Sequence, residues 1–238
     1  MKRIFLAIAL MVATIQISAQ LNVQLHHDFG NDIYGSELSN RPRWTATIEN
    51  FTADKWGSTY FFVDGNFADN TMTSVYAEFA RELRFWDAPI AVHVEYNGGL
   101  AGGSCYDDAY LAGAAWNWAN TDFSKTFSVQ ALYKYLANHP VNKHSWQLTT
   151  VWGIHFGQGL YTFSGYADLW HDNNVNGALV LSSEPQFWVN LWALDGVDDA
   201  CKLSVGAEVE ICNNLVWPTD GKNNRFYAIP TLAAKWTF

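Results

Sequence analysis

Charge is in short supply in this chain of 238 residues. Asp, Glu, Lys and Arg together make up 16%, where an ordinary soluble domain carries about 25%. Positive charge is the scarcer kind, with 14 Lys and Arg against 23 Asp and Glu. Nucleic-acid binding is thereby excluded, because it needs a basic patch or stripe. Long apolar runs are missing too. No stretch approaches the roughly 18 residues of a membrane-spanning helix, which excludes a helical membrane protein. Cysteine is sparse: Cys105, Cys201 and Cys212 are odd in number and show neither a disulfide framework nor a CxxC metal pair. They read as small apolar fillers or free thiols, although export would permit a disulfide. No phosphate loop occurs, and no G-x-S-x-G. His26, His27 and Asp28, like His139 and His144, match no metal motif and read as surface polarity. No cofactor, no metal and no enzymatic activity is therefore expected. What the chain has in abundance is rings. Aromatic residues equal the charged ones at 16%, and 12 of them are Trp. A disordered chain shows the reverse composition.

Lys2 and Arg3 precede an apolar run from Ile4 to Ala13, and a short polar stretch ends at Ser18-Ala19-Gln20. A basic start, a short apolar core and a small residue before the cut are the layout of a secretory signal peptide. Cleavage is expected after Ala19, and Ile17 leaves room for a slip of one residue. The chain divides into a signal peptide, 1–19, and a single β-barrel domain, 20–238.

Past the signal one period dominates. Trp146, Leu148, Thr150, Trp152, Ile154 and Phe156 fall on one face of a strand, with Gln147, Thr149, Val151, Gly153 and His155 on the other. The same alternation marks Phe127 to Tyr135 and Leu203 to Ile211, and it is the signature of a strand with two different faces. About twelve such runs occur, near 21–28, 43–52, 56–66, 72–86, 89–97, 105–119, 124–137, 144–157, 159–171, 184–194, 201–212 and 225–238. The connections after odd-numbered runs are mostly long and polar, and those after even-numbered runs mostly short. Long loops at one end and short turns at the other are the layout of an antiparallel transmembrane β-barrel. The last run places Phe226, Ala228, Pro230, Leu232, Ala234, Trp236 and Phe238 on one face, and a terminal aromatic on that row resembles the sorting signal of outer-membrane barrels. Pro230 is awkward there, because it removes a ladder donor. Trp44, Trp56, Trp86, Trp116, Trp146, Trp170 and Trp236 fall near strand ends, where aromatic girdles sit. The expected protein is thus an all-β, antiparallel transmembrane barrel of about twelve strands in the bacterial outer membrane. A secreted soluble β-domain is the alternative.

In such a barrel the polar face lines the lumen. The inward row then holds Thr45, Thr47 and Glu49; Trp56, Ser58, Tyr60, Phe62 and Asp64; Tyr76 and Glu78; and His93 and Glu95. Further along come Gln130, Lys134, Gln147, His155, Tyr166, Asp168, Trp188, Asn190, Glu208, Glu210, Thr231 and Lys235. The row is acidic and carries rings. Rings can stack a flat solute, carboxylates accept hydrogen bonds from hydroxyl and amino groups, and acidic rings disfavour anions. A small neutral solute fits this row. Mutual pairing of Glu and Lys across the lumen is the structural alternative.

Glu49-Asn50-Phe51, Trp56, Tyr60, Phe62 and Asp64 follow the pattern E-x-F-x4-W-x3-Y-x-[FY]-x-D, and Val75-Tyr76-Ala77-Glu78-Phe79 follows it. Over about residues 43–80 the chain resembles the nucleoside-specific outer-membrane channel family, the Tsx-like channels. After Glu78 that family has a second Glu and a Pro-Arg pair, where this chain has Ala80, Arg81 and Glu82. The resemblance implies a monomeric twelve-stranded barrel in outer-membrane lipid that passes nucleosides by facilitated diffusion. It makes Glu49, Trp56, Tyr60, Phe62, Asp64, Tyr76 and Glu78 substrate-binding candidates, and the inward row adds His93 and Glu95. A closed or structural barrel without transport, and a barrel enzyme, are the other functional readings.

Overall fold

The computed structural model describes residues 20–238 except 69–70, 103, 106–107, 141, 175 and 199. The expected signal peptide, 1–19, lies outside the described residues. The strands run in chain order as β1 (Asn22–Asp28), β2 (Trp44–Asp54), β3 (Gly57–Ala68), β4 (Thr71–Leu83), β5 (Ile90–Ala101), the two-residue β6 (Ser104–Cys105) and β7 (Ala109–Ala119). They continue as β8 (Lys125–Leu136), β9 (His144–Phe156), β10 (Tyr161–Asn174), β11 (Gly177–Ser183), β12 (Gln186–Asn190), β13 (Leu203–Asn213) and β14 (Phe226–Thr237). Each spanning strand pairs antiparallel with its neighbours, and β1 pairs with both β2 and β14, so the sheet closes on itself. A short helix α1 (Gly30–Tyr34) and a 3-10 turn η1 (Gly35–Leu38) follow β1.

Twelve staves make the barrel, because β11 and β12 are one stave. The register carries through Glu184 and Pro185: Ser183 opposes Ala167 and Gln186 opposes Ser164, with no slip between them. Pro185 has no N–H to give, so the ladder skips one bond there. The residue facing that gap is Gly165, at φ +153, where a Cβ would stand 2.4 Å from the carbonyl oxygen of Glu184. Only glycine fits so close an approach.

The two faces of the wall are inside out relative to a soluble protein. On β1, Asn22, Gln24, His26 and Asp28 are buried while Val23 and Leu25 are exposed. On β5, Ala91 and His93 are buried while Ile90, Val92 and Val94 are exposed. The exposed aliphatic and aromatic rows extend around the wall, far beyond the few hundred Å² a soluble surface shows in one patch. Lipid is the solvent that such a surface requires. Trp44 and Trp146 ring its distal end, and Trp86, Trp116, Trp118 and Trp236 ring the terminal end, where β1 begins and β14 ends; all are exposed. This is the interfacial placement of Trp. Trp170 departs from the expected girdle. It turns inward, and the Lys134 ammonium lies 4.2 Å from its ring centroid. Arg81 is an outward-facing charge, and it hydrogen-bonds Thr59 and Asp54 at 2.9 Å near the terminal end.

The connections sort by length less cleanly than expected. At the distal end, 29–43 and 214–225 are long and 102–108 and 137–143 intermediate, but only two residues separate β3 from β4 and β10 from β11. At the terminal end, four connections are short and 191–202 is long. The expected gaps at 67–71 and 172–183 are mostly strand, because their Thr, Asn and Gly residues continue the ladder. Pro230 is accommodated where β1 ends. Its carbonyl accepts from Phe29 N at 3.1 Å, one residue past the last β1–β14 pair.

Candidate functional site

The lumen is lined by the even positions of β1 and β4, the odd positions of β2 and β5, and their counterparts around the barrel. On β2 and β3, Glu49 stands opposite Phe62 and Thr47 opposite Asp64. On β3 and β4, Phe62 stands opposite Glu78 and Asp64 opposite Tyr76. Pairs that directly face each other across a ladder share one side of the sheet. Glu49, Phe62, Asp64, Tyr76 and Glu78 therefore converge on one patch of the inner wall, with Tyr60 beside them. The Tyr60 and Phe62 ring centroids are 6.1 Å apart and those of Phe62 and Tyr76 6.0 Å, in tilted arrangements.

The carboxylates of this patch have neutral partners. Gln24 donates to Glu49 at 2.8 Å, Thr47 to Asp64 at 2.5 Å and Tyr76 to Glu78 at 2.7 Å. Among the described residues none of these three carboxylates forms an ion pair within 4.0 Å. Asn97 is opposite Glu78 in the β4–β5 ladder, is 6% exposed, and buries its side-chain oxygen without a donor among the described residues.

His93 and Glu95 sit beside this patch and are bonded to each other. The His93 imidazole lies 2.9 Å from Glu95 and 3.5 Å from Glu82, and Asn117 donates to Glu82 at 2.6 Å. Trp56 is the one expected site residue placed elsewhere. It occupies the two-residue turn between β2 and β3, half-exposed, and packs edge-on against Phe85 at 5.5 Å. Strand alternation cannot extend into a turn, and Trp56 instead belongs to the interfacial rim. The triplet at 26–28 is likewise not a surface cluster. His26 and Asp28 face the lumen, bonded to Thr231 and Arg41, whereas His27 faces outward against Phe29 and Trp44.

Both lysines turned into the lumen rest on rings. Lys134 covers Trp170 and donates to Gln147 at 2.8 Å. Lys235 lies 4.0 Å from the centroid of Trp188, whose ring is fully buried.

Nothing in the alternation announces the last part of the site. After β1 the chain does not loop outward but folds back over the distal mouth. Leu38 is fully buried against Cys212, Tyr227 and Ile229, all on the inner wall. Arg41 bridges Asp28, at 2.8 Å, and Glu210. Glu37 accepts from Arg225 at 2.5 Å and from Tyr227 at 2.6 Å. The hydrogen bonds from Tyr227 and then Arg225 hold the Glu37 carboxyl below the usual carboxylate range. Of the cysteines, Cys212 fills this apolar socket as a free thiol and Cys201 is also free; the side chain of Cys105 lies outside the described residues.

A closed, lipid-facing, polar-lined antiparallel barrel of twelve staves defines a class, the outer-membrane β-barrels. Within it, residues 19–238 match a family described as a domain of unknown function (DUF5020), and the chain belongs to that family. A solved structure described as a NanC porin aligns with TM-score 0.59 at 11% identity, over 92% of this chain and 100% of that one. A second, described as KdgM porin, gives 0.49 at 9% identity, over 92% and 99%. At these identities the likeness to the first speaks to the fold alone. No curated protein matches the chain.

Proposed function

We propose that this protein is an outer-membrane channel through which small solutes diffuse passively, and that it discriminates against anions. The observation that carries the reading is the inner wall, where Glu49, Asp64 and Glu78 flank the rings of Tyr60, Phe62 and Tyr76. Fixed carboxylates in a narrow passage repel anions, and rings supply flat contact surfaces. Nucleosides are the first neutral solute to test, because they combine a stackable base with hydroxyl donors and because of the resemblance to nucleoside channels over residues 43–80. One chain closes the lumen, which supports a single barrel as the unit of passage.

Purified protein in planar bilayers is expected to give a steady KCl conductance that adenosine or uridine reduces at millimolar concentration. A conductance that no nucleoside alters would remove the nucleoside reading and leave the channel. The inward-folded segment 29–43 favours a second reading, a barrel closed at its distal mouth. Absence of any conductance from the intact chain would support it.

A further inference from the structure

The two lysines in the lumen show how this wall receives an ammonium group. Lys134 sets its ammonium over the Trp170 ring with an amide oxygen 2.8 Å away, and Lys235 sets its own over Trp188. An ammonium over an aromatic face is attracted by the ring quadrupole, and more strongly where water is excluded.

The β3–β4 patch has the same components in greater number, and the lumen lysines reach it only by longer-range attraction, Lys235 toward Glu49 and Lys134 toward Glu78, with no ion pair within 4.0 Å among the described residues. Its rings are Tyr60, Phe62 and Tyr76, and among the described residues no Lys or Arg ammonium is placed over Tyr60 or Phe62. Its acceptors are the carboxylates of Glu49, Asp64 and Glu78, none ion-paired. Asn97, facing Glu78 and more than nine-tenths buried, adds an oxygen with no donor among the described residues. Buried acceptors normally find a donor, and buried carboxylates normally find a cation. A neutral hydroxyl solute supplies donors but no positive charge. A simple anion supplies neither. A protonated amine supplies N–H donors for the amide and carboxylate oxygens and a positive charge for the rings. Charge-assisted hydrogen bonds of this kind are roughly twice as strong as neutral ones.

We infer that the patch formed by Glu49, Tyr60, Phe62, Asp64, Glu78 and Asn97 is a binding site for small protonated amines, which the lumen prefers to neutral solutes of the same shape. The inference rests on the channel reading for its physiological sense, but the site itself is measurable without a current.

The test pairs 1,4-diaminobutane with its neutral counterpart 1,4-butanediol, using the detergent-solubilised full-length barrel. Calorimetric titration is expected to show the diamine binding at least tenfold more tightly than the diol. Glu78→Gln and Phe62→Leu are each expected to weaken diamine binding by about tenfold. Glu82→Gln, whose carboxylate is occupied by His93 and Asn117, is expected to leave it within about twofold and reports on folding. In bilayers the diamine should block the KCl current from the wild type and block it less in Glu78→Gln. Equal binding of diamine and diol, or diamine binding unchanged in both Glu78→Gln and Phe62→Leu, overturns the site. A barrel that binds diamine and passes no current keeps the site and sinks the channel. One that is cation-selective but indifferent to diamine keeps the channel and sinks the site.

Discussion

Gly165 shows what one residue decides in this wall. It faces Pro185, the point where the eleventh and twelfth strands would otherwise part, and a Cβ there would meet the Glu184 carbonyl, Trp152 and Pro185 at once. Gly165→Ala is expected to cost about 1–3 kcal/mol through overpacking, seen as a lower urea midpoint for the folded barrel in lipid vesicles. An unchanged midpoint would mean that the stave bends to accept the methyl. Residue identity was legible in the sequence wherever a residue sat inside a regular strand. Tyr60, Asp64, Glu78, His93 and Lys235 all face inward as their alternation requires. It failed at strand ends. Trp56 lies one position before β3 starts, so it joins the girdle and not the inward row, and Trp170 has the height of the girdle although its parity with Asp168 places it inside. Both errors come from the same ambiguity, since a ring near a strand end suits a membrane interface and a lumen mouth equally well.

The element that matters most to access is the segment 29–43. Its anchors differ in kind: Leu38 in an apolar socket, Arg41 between Asp28 and Glu210, and Glu37 on Arg225 and Tyr227. Leu38→Ala removes a fully buried side chain, which costs about 2–5 kcal/mol in a packed site. Arg41→Ala leaves two carboxylates without their cation, at about 3–5 kcal/mol where the pair is dry. Cys212 lies beneath Leu38 and reports the opening. In a background with Cys105 and Cys201 replaced by Ser, its labelling by a small maleimide at fixed pH should rise at least tenfold in either variant. No increase would show that the segment is held by contacts other than these. The Glu37 anchor carries a pH dependence. Its carboxyl is held below the ordinary value, so its contribution is complete above the unfolded value and fades as pH falls through the lowered one. Wild type should therefore gain conductance on acidification more than Glu37→Gln, which has lost the anchor already. None of this was legible in the sequence. A polar run with Gly30, Gly35 and Ser39 looks like any exposed loop, and the fold-back depends on a socket built by residues about 175 to 200 positions further along.

At the scale of the whole molecule, the scarcity of charge and the wealth of rings have one cause. Lipid takes the apolar face and leaves little surface for charge, so most of what remains is in the loops or the lumen. The excess of acid inside is expected to make the pore cation-selective. A bilayer reversal potential in a KCl gradient should favour K⁺ at 0.1 M and lose much of that preference at 1 M, because the Debye length shrinks from about 10 Å to about 3 Å. A preference for chloride at 0.1 M would contradict the acidic lumen. The barrel itself was legible from alternation and from the C-terminal row. The count of staves survived although two distal connections are only two residues long, because each strand announced itself independently of its loops.

The first strand holds a final consequence. It meets the last strand over seven pairs, from Asn22 with Thr237 to Asp28 with Thr231, whereas β2 and β3 share eleven. The seam that completes the cylinder is therefore a short one, and it joins the two segments synthesised furthest apart in time. Without the C-terminal strand, β1 would leave one edge of the sheet without a partner. Closure therefore requires Asn22–Asp28 to meet Phe226–Thr237, and a chain cut short before Phe226 is expected to leave the sheet open.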